Sequence, residues 1–148
     1  MKIYTKTGDR GDTGLQGNLR IAKSHSRIIS YGMVDEANAA LGIVLVNSLD
    51  DDITKILTNI QNDLFLVGAD LSNPNLADIK NRVTSDMVER LEHNIDKFES
   101  ELVPLTNFIL PGGDIAAAQL HYVRTVVRRA ETQVVQLSEK DKINSNCI

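Results

Sequence analysis

At 148 residues, 42% hydrophobic and 24% charged, the chain is long enough for one compact domain with a buried core and too short for two independent catalytic domains. Aromatics amount to 4% with no tryptophan, which argues against a base-stacking nucleic-acid platform and for a core of isoleucine, leucine and valine. The formal charge of −4 hides an asymmetry: residues 1–30 hold six bases against two acids, so a locally positive segment that suits a small polyanion precedes a largely acidic remainder.

Residues 2–26, rich in glycine, threonine and serine and without helical periodicity, read as a short strand or extended arm followed by a turn-rich loop. From about Arg27 to Asn47 the spacing of Val34, Ala37, Leu41 and Val44 predicts a helix, with Ser24 or Ser26 as its N-cap and Tyr31, Asp35 and Asn38 on the opposite stripe. A second helix is expected from Asp51 or Asp52 through Ile53, Leu57, Ile60, Leu64 and Val67, with Pro74 marking a boundary and Ser72 to Asn81 a connection. Thr84 is placed to cap a third helix whose apolar face holds Met87, Leu91, Ile95 and Phe98, and Pro104 argues against its continuation. FILPGGD, Phe108 to Asp114, reads as a buried apolar run stopped by proline and released by two glycines into a last helix capped by Asp114. That helix sets Ala116, Leu120, Val123, Val127, Ala130, Val134 and Leu137 on a core stripe, with His121, Arg124, Arg128 and Glu131 on its other face.

The fold expected from this order is all-α: an up-and-down helical bundle entered through an extended N-terminal arm, one domain over residues 1–148 with the arm at 1–26 and the bundle at 27–148. The single cysteine, Cys147, excludes an intramolecular disulfide framework and a thiolate metal cluster, and fits a reducing, cytoplasmic compartment. Every apolar run is short, so neither a signal peptide nor a membrane span is expected, and the charge pattern gives no reason to expect a nucleic-acid partner.

Three groups of residues carry possible chemistry. In TKTGDRGDTGL, Thr5 to Leu15, glycines allow close backbone approach while Lys6 and Arg10 can reach a phosphate chain; the segment lacks the final GK[ST] of a P-loop, and its composition also describes plain successive turns. Asp35 beside Tyr31 and Asn38 needs a compensating charge, and Arg124 and Arg128, four apart on the last helix, offer one arginine to pair with it and one for an anion; an interhelical salt bridge with a solvated arginine fits the same spacing. Phe108 can form an apolar wall ahead of His121 or be ordinary core, and the three histidines show neither metal-ligand spacing nor a nucleophile, base and acid triad.

In order along the chain, KIYTKTGDRGDTGL, YGMVDEANAALG, FILPGG and HYVRTVVRRAE together resemble the PduO-type ATP:cob(I)alamin adenosyltransferases, over nearly the whole sequence. The resemblance implies a helical bundle, homotrimeric, with ATP held between neighbouring subunits and a corrinoid beside its ribose. It implies transfer of the 5′-deoxyadenosyl group from ATP to cob(I)alamin with release of triphosphate. Magnesium accompanies the ATP without a protein metal cage, and a reductase is a possible partner.

Matched motif to motif, Thr5, Lys6, Thr7 and Gly8 fall in the family's nucleotide-binding arm, Thr13 and Gly14 help close its loop, and Lys23 and Arg27 are further electrostatic candidates. Arg124 matches the arginine that pairs with the helix aspartate, Asp35. Arg128 matches the phosphate-contacting arginine, Glu131 the acid holding the adenosine portion, and Phe108 the wall beside the corrin face. Family chains usually continue beyond the segment resembling KINSNCI into another helix, so the resemblance implies a bundle whose last helix follows Ile148. Its alternative outcome is a noncatalytic nucleotide- or corrinoid-binding protein or cofactor chaperone that keeps the bundle without the closure.

Overall fold

The computed structural model describes residues 2–148; Met1, the first residue of the expected arm, lies outside them. The arm runs into an antiparallel hairpin of β1 (Asp12–Gly14) and β2 (Arg20–Ala22), paired in the register Thr13 to Ile21 and closed by Leu15 N–H donating to the Leu19 carbonyl at 2.8 Å. Gly17 and Asn18 turn the chain at φ 82° and 62°, the left-handed conformations a tight reversal demands. The hairpin is an addition to the expected all-α architecture.

Four helices follow: α1 (Ser26–Val44), α2 (Asp51–Leu71), α3 (Ser85–Glu101) and α4 (Ile115–Ser138), with a single 3-10 turn at Ser145–Cys147. α1 buries Val34, Ala37, Leu41 and Val44 as its spacing predicts. Its N-cap is His25, not Ser24 or Ser26, because the imidazole Nδ1 accepts the Arg27 backbone N–H at 3.1 Å. Asp114 caps α4 as expected, accepting the Ala117 N–H at 2.8 Å. On α4 the buried stripe is Val123, Val126, Ala130, Val134 and Leu137. Val126, at 1% exposure, replaces the expected Val127, at 39%, because a straight helix of 3.6 residues per turn drifts off a strict heptad.

α1 packs along both α4 and α2. Ser30 Oγ reaches the Gln133 carbonyl at one end and Asn47 the Gln119 side chain at the other, which makes α1 and α4 antiparallel. Two apolar clusters result, one around Val34, Leu71, Ala130, Val134 and Leu137, the other around Ala40, Leu41, Val44 and Val123. Each fully buried leucine or valine contributes about 1.5–3 kcal/mol.

α3 differs: none of its residues is buried. It lies beside α2 through the Arg90–Asp63 and Lys97–Asp52 ion pairs, with Met87, Val88 and Leu91 lining a shallow apolar groove. Its expected apolar face therefore exists without a full cover among the described residues, Ile95 being 63% exposed. The FILPGGD run is a second correction. All of residues 101–110 are exposed, Phe108 completely so, because no element of the described chain packs over them.

The end of α2 carries no glycine stop, and its last carbonyls are taken up by other parts of the chain instead. Gln16 Nε2, from the hairpin loop, donates to the Ala69 carbonyl at 3.1 Å, and the buried Arg27 donates to that of Leu71 at 2.8 Å. Arg82 donates to the Asp70 carbonyl at 3.2 Å and forms an ion pair with the buried Asp70 side chain. Cations at a helix C-terminus also offset its dipole. Close by, desolvation and the Asp70 carboxylate push the Cys147 thiol up to about 12. Among the described residues no helix is long and apolar enough to cross a membrane.

Candidate functional site

The arm and the hairpin form an open recess of about 700 Å³ lined by Lys6, Thr7, Asp9, Arg10, Asp12 and Arg20. Glycine at position 8 is what allows the closeness. A Cβ there would come within 3.1 Å of both the Asp12 carbonyl oxygen and Lys23 Nζ. Three cations and two carboxylates thus line the cavity, with Lys23 close by beside Gly8, a balance of charge that suits an anion. Thr5 and Thr7 share a hydroxyl hydrogen bond of 2.9 Å, and Thr13 and Gly14 lie on β1, outside the lining of the recess.

The polar stripe of α1 meets α2. Tyr31, Asp35 and Asn38 line an open cleft of about 560 Å³ with Phe65 and Gly68 of α2 and Gln16 of the hairpin loop. A reciprocal pair ties the two helices at Asn38: Asn38 Nδ2 donates to the Gln61 carbonyl and Gln61 Nε2 to that of Asn38, each at 3.1 Å. Burial raises the Tyr31 phenol above its ordinary value, so it stays protonated as a donor.

A third recess, of about 710 Å³, sits where the α3–α4 connection meets α4. Phe108, Leu105 and Ile109 supply its apolar wall, and His121 and Arg124 its polar one. Arg128 and Glu131 continue the exposed face of α4 one and two turns further on. The structure therefore brings Phe108 to Arg124 and groups the arm residues with one another.

Two of the expected contacts are not made within the subunit. Arg27 is not available to a phosphate: at 4% exposure its guanidinium is held by the Leu71 and Lys142 carbonyls and by Asp141 at 3.4 Å, since position 27 falls on the buried stripe of α1. Asp35 and Arg124 do not pair within one chain, because α1 and α4 meet through Val34 and Ala130, which turns Asp35 toward α2 and Arg124 outward. The ion pair that forms between these helices is shifted by one residue along α1: Arg129 donates to Glu36 at 2.6 Å. Nor does the arm share a cavity, hydrogen bond or ion pair with the Arg124–Arg128 face among the described residues.

Sequence reading missed Arg20, Gln16 and Phe65 altogether. Arg20 and Gln16 were legible in principle, through the Gly-Asn turn that pairs the strands around them. Phe65 carried no signal of its own, since one aromatic on an amphipathic helix reads as core, yet it is 74% exposed in the α1–α2 cleft.

Comparison with known proteins meets this geometry from another side. The sequence profile of the family described as cobalamin adenosyltransferase matches residues 3–148. The corrinoid adenosyltransferase of Mycobacterium leprae (strain TN) is 44% identical over 137 residues, 88% of this chain and 72% of that protein. That of Bacillus subtilis (strain 168) is 40% identical, with all of this chain aligned to 78% of the relative. A variant of the PduO-type ATP:corrinoid adenosyltransferase from Lactobacillus reuteri, complexed with cobalamin and ATP, superposes with a TM-score of 0.92 at 35% identity, covering 99% of this chain and 83% of that one. With a profile match over residues 3–148 and relatives this similar over more than two thirds of their length, the chain belongs to the cobalamin adenosyltransferase family.

Proposed function

We propose that this protein transfers the 5′-deoxyadenosyl group of ATP to cob(I)alamin, releasing inorganic triphosphate. The observation that carries the reading is the presence, in one family member, of two open sites of opposite chemistry: a cationic recess in the arm and an apolar recess walled by Phe108 beside Arg124. In the reaction the ribose C5′–O bond breaks as a bond from C5′ to cobalt forms, and the electron pair departs with the triphosphate oxygen. The nucleophile belongs to the corrinoid substrate, which agrees with the lack of any nucleophile, base and acid triad in the sequence. The chain's own work is alignment and charge compensation. Contacts from Lys6 and Arg128 raise turnover only as far as they strengthen while charge collects on the leaving oxygen.

Since the arm and the α4 arginines are apart within one chain, the reading places each active site between subunits of a homotrimer, the arm of one facing α4 of its neighbour. The same contact would let Asp35 reach Arg124 of the next chain and seat Glu131 near the nucleoside. Thr5, Thr7, Gly8, Thr13, Gly14 and Lys23 belong to the nucleotide side, within one working unit made of arm (1–26) and bundle (27–148). Mg²⁺ arrives with ATP, and Asp9 and Asp12, which line the arm cavity, are acceptors suited to its hydrated shell. A cytoplasmic setting that supplies ATP and a reductase for the cobalt belongs to the same proposal.

The test is anaerobic incubation of the protein with ATP, Mg²⁺ and chemically reduced cobalamin. Light-sensitive adenosylcobalamin and triphosphate are the expected products; ADP or orthophosphate would refute the bond cleavage, and binding without product would mark a noncatalytic cofactor carrier. Phe108→Ala is expected to lower turnover by about 10-fold or more with KM for ATP nearly unchanged, because a fully exposed phenylalanine on the wall of this recess gains burial when an apolar ligand face covers it. Steady-state kinetics with each substrate varied separately check this.

A further inference from the structure

The arm holds a residue for which neither motif nor fold accounts. Lys2 to Thr7 are all exposed, and among the described residues their one hydrogen bond to the hairpin is Arg20 Nη2 donating to the Thr7 carbonyl at 2.5 Å. The clasped carbonyl directly follows Lys6, which adopts φ 56°, a left-handed conformation that a β-carbon disfavours and that persists only where neighbouring contacts hold it. The Lys6 ammonium is itself placed against the Tyr4 ring, 5.4 Å from its centroid. Arg20 is paired opposite Gly14 on β2, the most regular part of the arm, and lines the same cavity as Lys6 and Arg10. A guanidinium has five N–H donors in a planar fork, so one can be used on Thr7 while others remain for an anion.

We infer that Arg20 is a positioning residue of the triphosphate site: through the Thr7 carbonyl it fixes the turn that presents Lys6, and its charge faces the same phosphate chain. The inference rests on the proposed function and names the ligand class as a linear triphosphate, either the tail of ATP or the released product. Clasp and charge are separable by substitution. Arg20→Gln keeps an N–H for Thr7 and removes the charge; Arg20→Lys keeps the charge and removes the fork; Arg20→Ala removes both.

The experiment is titration of the full chain with inorganic triphosphate at several salt concentrations, with amide hydrogen exchange of residues 5–11 and steady-state kinetics in ATP. For Arg20→Ala the expected result is about 10-fold weaker triphosphate binding, a similar rise in KM for ATP, and faster exchange in the arm. Arg20→Gln should keep the slow exchange yet bind more weakly with a shallower salt dependence, while Arg20→Lys recovers part of the affinity with exchange still fast. The inference is overturned if Arg20→Ala binds triphosphate as the wild type does. It is equally overturned if Arg20→Gln retains full affinity and salt slope, which would reduce Arg20 to a structural clasp. Wild-type turnover with either result leaves the proposed function standing and removes Arg20 alone; a wild-type chain that neither binds triphosphate nor turns over ATP removes both.

Discussion

Arg128→Ala is expected to lower kcat for adenosyl transfer by about 10²–10³-fold, the scale seen when one preorganised donor to developing negative charge is lost. The residue lies on the outer face of α4, exposed, and its guanidinium has no ion pair or side-chain hydrogen bond among the described residues. Its backbone is nevertheless rigid, set between the buried Val126 and Ala130. A cation on a packed helix that no partner neutralises can meet a departing triphosphate without first giving up another contact. Arg128→Lys should fall between the two, keeping charge without the bidentate fork. The neighbouring Arg129 is the internal control: its half-exposed pair with Glu36 is worth at most about 1 kcal/mol, so Arg129→Ala should leave kcat within about threefold. Rates measured anaerobically at saturating corrinoid decide the matter, and equal losses for the two alanine variants would remove Arg128 from the chemistry.

What the sequence made legible divides along a physical line. The helices follow from periodicity and one cap from side-chain chemistry: the spacing from Val34 to Val44 fixes the buried stripe of α1, and Asp114 caps α4 wherever the rest of the chain goes, while α1 is capped by His25 and not by the expected serines. α3 and its N-cap at Thr84 lie where expected, whereas the run around Phe108, read as buried, is exposed. An apolar face or segment says that something should cover it, not that the cover lies in the same subunit, and Ile95, Leu110 and Phe108 stay exposed. Charged residues show the same limit. Arg27, Arg124 and Arg128 look alike in sequence, yet position 27 falls on the buried stripe and becomes a ligand for the end of α2, while the other two face outward. The family motif marked Arg27 as an electrostatic candidate, and only the helix register shows that its charge is already used.

Asp70→Ala is expected to destabilise the fold by about 3–5 kcal/mol, the cost of leaving a buried cation without its partner. Asp70 is 2% exposed and its carboxylate is fully engaged. One oxygen takes Arg82, and the other takes the Val83 backbone N–H at 2.8 Å and Asn144 Nδ2 at 2.7 Å. Three separate parts of the chain thus meet on one carboxylate: the end of α2, the lead-in to α3, and the turn before Cys147. Gln16 and Arg27 hold the adjacent carbonyls, so the base of the nucleotide arm hangs on the same helix end. Loosening it should reach the arm as well as the core, raising KM for ATP although Asp70 touches no proposed ligand. For a chain of this length the expected fall in Tm is roughly 6–20 °C, compared at one protein concentration so that any association contributes equally. Asp70→Asn, which keeps the volume and one acceptor, should lose less. Arg90→Ala, which breaks the exposed Asp63 pair, should lose no more than about 1 kcal/mol. A melting point for Asp70→Ala within about 2 °C of wild type would mean that the three segments are held by apolar packing alone, and that the arm does not depend on this carboxylate.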